Sequence, residues 1–108
     1  MTMSNITSEA VQAFVNGTTF KGGNTTVSRN THDSACVSLK LHGHTIAQRI
    51  GDRVRINDCG WKTRTTKDRL NGVIQAYHAR GGIFQKNFEW YLEIDEVVEF
   101  PSNEWVTI

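Results

Sequence analysis

The side chains with the most suggestive chemistry lie together between residues 61 and 69. Four basic side chains and three threonine hydroxyls occur there, where a strand end, a turn and a helix start are predicted. A helix start offers unpaired backbone N–H groups and the positive end of the helix dipole, so it attracts anions. Basic side chains are locally unfavourable there, which indicates an anionic ligand or an acidic partner. The candidate binding site is Trp61, Lys62, Thr63, Arg64, Thr65, Thr66, Lys67 and Arg69.

Aromatic residues near this segment suggest base stacking. Trp61 is flanked by cations, and it is either exposed, where it can stack on a base, or packed beneath the helix start. Phe84, Phe88, Trp90 and Tyr91 could add to such a platform. Phe88 and Trp90 lie on the apolar face of an alternating segment, and this pattern predicts that they belong to the core instead.

Metal binding and catalysis have weaker support in the sequence. His42 and His44 could ligate a metal with Cys36 or Cys59, but no third ligand follows at a metal-site spacing. Cys59 precedes the basic segment, where a thiolate would be stabilised. No nucleophile elbow, phosphate-binding lysine loop or dinucleotide-binding glycine motif is present. We therefore expect no enzyme activity, metal or cofactor. Three aspartates are assigned to turns: Asp33, Asp52 and Asp58.

Length and composition predict one globular domain. The chain has 108 residues, of which 38% are hydrophobic and 21% charged, and these values are typical of a folded domain. We expect residues 1–108 to form a single domain in which residues 1–6 are a frayed tail. The sequence contains no membrane-spanning run and no signal peptide, so a cytoplasmic protein with reduced cysteines is expected.

The charges are distributed unevenly along the chain. Residues 40–80 carry nine Lys or Arg against three acids, whereas residues 87–108 carry six acids and no Lys or Arg. In one interpretation, which we favour, acidic strands lie beside basic strands and the charges pair across a sheet. In the other, the surface is polarised and its basic face binds nucleic acid, a nucleotide or an acidic protein.

Hydrophobic periodicity predicts an α+β fold, a mostly antiparallel sheet with one central packed helix and a short N-terminal helix. Residues 8–16 form the first helix, residues 25–29 a short strand, and residues 35–57 a three-stranded meander. Strands are also expected at residues 83–85, 88–94 and 97–100.

The second helix has the clearest pattern, because Leu70, Val73, Ile74 and Tyr77 form one apolar stripe. Thr65 or Thr66 is the expected N-cap, Asp68 lies in the expected first turn, and residues 81–82 end the helix. The same stripe predicts that Lys67 and Arg69 face solvent.

One sequence pattern resembles small, mostly uncharacterised proteins of tailed bacteriophages. The pattern is Gly60-Trp61, Thr63, Thr65-Thr66-Lys67 and Arg69-Leu70-Asn71. The similar frame, which covers roughly residues 39–92, also includes Leu41-His42-Gly43, Ile46-Ala47, Gly51-Asp52, Ile83-Phe84-Gln85-Lys86 and Trp90-Tyr91-Leu92. The resemblance implies a phage origin and action in the bacterial cytoplasm. Phage proteins of this kind often bind a host defence enzyme, a host polymerase or a signalling nucleotide.

Three functional hypotheses follow. In the first, a phage accessory protein inhibits or sequesters a host component, either a defence protein or a signalling nucleotide, through the basic helix start. In the second, the protein binds DNA or RNA without sequence preference through Arg53, Arg55, Lys62, Arg64, Lys67 and Arg69. In the third, it is a small hydrolase or nuclease that uses His or Asp residues. No membrane partner is expected, and a homodimer is plausible.

Overall fold

The computed structural model describes residues 5–30 and 36–108. The helices of this part are α1 (Asn5–Asn16) and α2 (Arg64–Tyr77). The strands are β1 (Phe20–Gly22), β2 (Thr25–Arg29), β3 (Cys36–Leu41), β4 (His44–Ile50), β5 (Arg53–Ile56), β6 (Gly82–Lys86), β7 (Glu89–Glu93), β8 (Val97–Glu99) and β9 (Val106–Thr107). The turn predicted at Asp33 and the predicted start of the meander at residue 35 lie outside the described residues.

The larger sheet contains six antiparallel strands in the order β1-β2-β3-β4-β5-β9. The predicted meander is confirmed as β3, β4 and β5, and the alternating Val37, Leu39 and Leu41 are buried as a half-buried strand requires. α1 contacts β1, β2 and β3, while α2 contacts α1 and β4. Both helices therefore cover one face of this sheet, and the predicted α+β fold is confirmed.

The first helix starts earlier than predicted. α1 begins at Asn5, so residues 5 and 6 do not belong to a frayed tail. Its buried side includes Ala10, Val11 and Phe14, which pack in the core as their spacing indicates. Gly17 follows the helix with a left-handed φ of 72°, and this conformation favours glycine at the end of a helix.

The buried stripe of α2 is confirmed except at Tyr77, which is 37% exposed at the end of the helix. Both ends of the helix also differ from the prediction. Leu70, Val73 and Ile74 are fully buried. The N-cap is Thr63, whose Oγ1 accepts a hydrogen bond from the backbone N of Thr66 at 3.1 Å. The helix therefore starts earlier than predicted, and Asp68 lies in the second turn, not the first.

At the other end, the backbone becomes extended at His78, so the helix stops before the glycines of residues 81–82. Asn71 connects α2 to the strand that follows. Its side-chain amide donates to the backbone O of Ile83 at 3.1 Å, and its Oδ1 accepts from the backbone N of Ile83.

The smaller sheet has three antiparallel strands in the order β6-β7-β8. Ile83, Trp90 and Leu92 form its buried face, so the core position predicted for Trp90 is confirmed. The core position predicted for Phe88 is wrong. Phe88 lies in the turn between β6 and β7 with a φ of 67° and is 93% exposed, because β7 begins one residue later than expected.

The favoured interpretation of the charge asymmetry is also wrong. The acidic strands of this segment, β7 and β8, belong to a different sheet from the basic strands β4 and β5. Its last strand, β9, does pair with β5 but carries no acid. Within residues 5–30 and 36–108, the ion pairs join Lys62 to Asp58 and Arg69 to Asp68. None of the acids after residue 86 forms an ion pair with a cation of these ranges.

Candidate functional site

A groove of about 540 Å³ lies between the β3–β4 turn and the start of α2. β4 has a bulge at Ile46: Leu39 of β3 lies opposite Ala47 and Lys40 lies opposite Thr45, so Ile46 has no partner on β3. The bulge interrupts the alternation of the strand, and the adjacent Ile46 and Ala47 are both buried. The bulge therefore supplies an apolar lining below the helix start. The lining residues are Leu41, His42, His44, Ile46, Asp58, Trp61, Thr63, Thr65 and Thr66.

The buried carboxylate of Asp58 holds the loop that leads into α2. Its Oδ1 accepts from the backbone N of Gly60 at 2.8 Å and from that of Asn103 at 2.7 Å. Its Oδ2 accepts from Lys62 Nζ at 3.0 Å. The predicted role of Asp58 as a turn residue is confirmed by the bond to Gly60, and the bond to Asn103 also fixes this loop against the C-terminal segment.

The fixed loop presents Trp61 at the rim of the groove. Cys59 and Gly60 both have left-handed backbone conformations, with φ values of 55° and 79°, so the chain turns sharply before Trp61. Trp61 is 56% exposed, which decides between the two positions left open by the sequence. Its ring lies 6.0 Å from the ring of His44, centroid to centroid. The two rings form an aromatic rim above the apolar lining.

Threonine hydroxyls border the groove on the side of α2. The hydroxyls of Thr63 and Thr66 are 2.9 Å apart, within hydrogen-bond distance. Thr65 is half-buried beside them, and the preceding residue, Arg64, is exposed at the first position of the helix. An anion in this part of the groove would meet the positive end of the helix dipole and a nearby guanidinium.

The ammonium group of Lys62 contacts other side chains of the protein. Besides its ion pair with Asp58, its Nζ lies 4.7 Å from the ring centroid of Trp90 and 5.6 Å from that of Phe100. These distances are within the range of cation–π interactions. Lys62 thus joins the loop before α2 to the smaller sheet, and its charge is already compensated within the protein.

The prediction that Arg69 faces solvent is wrong, since this residue is only 6% exposed. Its Nε donates to Thr25 Oγ1 at 2.9 Å, and its Nη1 donates to Thr7 Oγ1 and to Asp68 Oδ2. Its Nη2 donates to Asn24 Oδ1 at 3.3 Å. α1 packs against α2 and widens the buried side of the helix, so Arg69 joins α1, α2 and β2. Lys67, also expected to face solvent, is half-buried.

The predicted site residues therefore separate into groups. Trp61, Thr63, Thr65 and Thr66 line the groove, Arg64 lies exposed at the helix start, and Lys62 and Arg69 hold the fold together. The sequence did not point to Leu41, His44 and Ile46, which also line the groove. The His42-Gly43-His44 turn suggested metal ligands instead. In residues 5–30 and 36–108, no three His, Cys, Asp or Glu side chains are grouped as a metal site.

Cys59 does not have the environment of a nucleophile. Its Sγ donates to the backbone O of Thr45 at 3.2 Å. Burial raises the pKa of the Cys59 thiol above its ordinary value, and the neighbouring Asp58 carboxylate raises it further. The thiolate stabilisation expected from the basic segment is therefore wrong. Cys36 and Cys59 are both free thiols.

Comparison with known proteins identifies the family. The chain matches the model of a family described as Kyanoviridae Gp96 protein over residues 3–107. Neither the curated proteins nor the solved structures gave a match. In the described ranges, neither helix has the length and apolar character needed to cross a membrane. The family consists of phage proteins, so the phage origin implied by the sequence pattern is confirmed. The chain belongs to the Kyanoviridae Gp96 protein family of bacteriophages.

Proposed function

We propose that this phage accessory protein binds a host component in the cytoplasm of the bacterial host and sequesters it. The groove at the start of α2 is the binding site, and a nucleotide-type ligand is its occupant. The observation that carries the proposal is the exposed ring of Trp61, which borders an apolar groove that also reaches a helix N-terminus. Such a groove offers one surface for a base and another for a phosphate.

The size and shape of the groove favour a small ligand over a host protein. A volume of about 540 Å³ falls within the range of small-molecule sites, roughly 300–1,000 Å³. A base would stack on Trp61 beside His44, above the apolar side chains of Leu41 and Ile46. Its phosphate would lie against the threonine hydroxyls and the first N–H groups of α2, close to Arg64.

Thermal unfolding with a panel of nucleoside mono-, di- and triphosphates and cyclic dinucleotides tests this assignment. A ligand should raise the melting temperature and quench tryptophan fluorescence. Trp61→Ala should abolish both effects, whereas the matched change Phe84→Ala, at an exposed aromatic residue of β6, should leave them intact. Arg64→Gln should weaken a phosphorylated ligand more than the corresponding nucleoside, and Arg80→Gln is its charge-matched control.

Host lysate provides a second test, because the bound molecules can be identified by mass spectrometry after co-purification. A small molecule retained by the wild-type protein and lost with Trp61→Ala supports the proposal. A host protein captured through Trp61, with no nucleotide effect, would replace the nucleotide assignment with a protein target. If neither class of molecule depends on Trp61, the groove is not the binding site.

A further inference from the structure

The face of the six-stranded sheet that points away from the helices is open to solvent. Inward residues such as Val37, Leu39 and Ile56 are fully buried below α1 and α2. The alternate residues of the same strands point the other way, and each of them is half-buried or exposed. We call the surface formed by these alternate residues the outer face.

Four cations and no acid occupy the strand positions of the outer face. Lys21 of β1 and Lys40 of β3 lie on the same face of the sheet, because Thr26 of β2 lies opposite both of them in the strand register. Arg53 and Arg55 alternate with the buried Val54 on β5. The nearest acids in sequence, Asp52 and Glu104, lie outside the strands. The strand positions of the outer face therefore carry four positive charges and no negative charge, in a chain whose formal net charge is only +1.

Arg55 is held in place on this face by uncharged groups. Gln48 lies opposite it on β4, and Gln48 Oε1 accepts from Arg55 Nε at 2.9 Å and from Nη2 at 2.5 Å. The Cζ atom of Arg55 lies 4.3 Å from the ring centroid of Trp105, which is 39% exposed. No carboxylate of the described residues forms an ion pair with Arg55. An ordered guanidinium without an acidic partner is suited to phosphate.

We propose that the outer face binds single-stranded nucleic acid, with phosphates at the cations and an unpaired base on the exposed side of Trp105. The positive charge of the outer face favours a polyanion. Trp105, beside Arg55, favours a polyanion with unpaired bases, since these can stack on its ring. Sheet surfaces that combine cations with exposed aromatics bind single strands in this way, since duplex bases are already stacked. This proposal is independent of the nucleotide groove, which lies on the helix side of the sheet.

Fluorescence anisotropy with labelled oligo-dT and oligo-rU of about 20 nucleotides tests the proposal. Each phosphate contact on a single strand contributes about 0.7 to the slope of log K against log salt. Replacement of Lys40 and Arg55 by Gln should therefore reduce the slope by about 1.4. The matched control Arg80→Gln, Lys86→Gln removes the same charge elsewhere and should leave the slope unchanged.

Trp105→Leu supplies a readout that charge alone would not change. Loss of base stacking should weaken oligonucleotide binding by about fivefold to a hundredfold with the salt slope unaltered. If the Arg55 variant unfolds, Lys21→Gln, Lys40→Gln removes two other cations of the same face, and the same reduction in slope is expected. Urea unfolding of each variant confirms that it is folded.

Four outcomes would overturn the proposal. The first is the absence of oligonucleotide binding at low salt. The second is a control double variant that loses as much slope as the outer-face variant, because binding would then depend only on total charge. The third is tighter binding of a duplex of the same length. The fourth is equally strong competition by polyglutamate, which would assign the outer face to an acidic protein.

Discussion

Replacement of Arg69 by Ala should strongly destabilise the protein. A solvent-facing arginine would contribute little, since most exposed ion pairs contribute roughly 0–1 kcal/mol. In the structure, however, the guanidinium is buried and donates to side chains of α1, β2 and α2. The three elements meet at this one side chain, so its loss affects all of their contacts.

The magnitude follows from those contacts. A hydrogen bond to a charged group contributes about 1.5–3 kcal/mol, but these bonds of Arg69 to Thr7, Thr25, Asp68 and Asn24 do not add independently. Thr7 retains a bond to Asp68, Thr25 retains one to Asn24, and the 27% exposed side chain of Asp68 can bind water. We therefore expect a loss of about 3–5 kcal/mol, the range for breaking a buried ion pair. This is a large part of a typical unfolding free energy of roughly 5–15 kcal/mol.

Urea unfolding followed by circular dichroism measures this loss. Arg69→Lys keeps the charge but not the planar group with several donors, so its stability should lie between those of the wild type and Arg69→Ala. The matched control is Arg64→Ala on the exposed side of the same helix, which should change stability by less than about 0.5 kcal/mol. A loss below about 1 kcal/mol for Arg69→Ala would refute a structural role for the buried guanidinium.

Three further outcomes are expected. Thr63→Ala should lower the unfolding free energy by about 1 kcal/mol through loss of the N-cap, and an unchanged urea midpoint would show that another residue caps α2. Phe88→Gly should be more stable than Phe88→Ala by about 1 kcal/mol, because only glycine adopts the left-handed turn freely; equal thermal stability of the two variants would contradict that backbone conformation. In a Cys36→Ser background, Cys59 should react slowly with a thiol reagent at neutral pH and faster in urea, since its folded pKa is raised. Fast reaction of the folded protein with the reagent would show that the thiol is not protected. Because the pKa of Cys59 is raised in the folded state, the free energy of unfolding should also fall as pH rises past the ordinary thiol pKa.

The elements that depend on local periodicity could be predicted from the sequence. Alternation of apolar residues defined the meander, and the spacing of Leu70, Val73 and Ile74 defined the buried side of α2. The position of Arg69 could not be found in this way. A helical stripe assigns a charged residue to solvent, whereas the partners of Arg69 in α1 and β2 lie 62 and 44 residues away in the chain.

The groove, too, could be predicted only as far as it depends on residues close together in the sequence. Its helix side was predicted from the basic segment, because caps and dipoles are local properties of the chain. Its apolar side depends on the bulge that buries Ile46 next to Ala47, and the pairing of β3 with β4 determines that bulge. The error at Phe88 has a related cause, since a turn with two left-handed residues interrupts an alternation that is continuous in the sequence.

The pair of hydrogen bonds between Asn71 and Ile83 also has a consequence for solubility. β6 is an edge strand, and an exposed edge can pair with a strand of another molecule. The N–H and C=O of Ile83 are both bonded to one side-chain amide, so they are not available to a strand of another molecule. The helix that borders the groove thus also protects the first part of this edge against aggregation, through an asparagine that takes the place of a neighbouring strand.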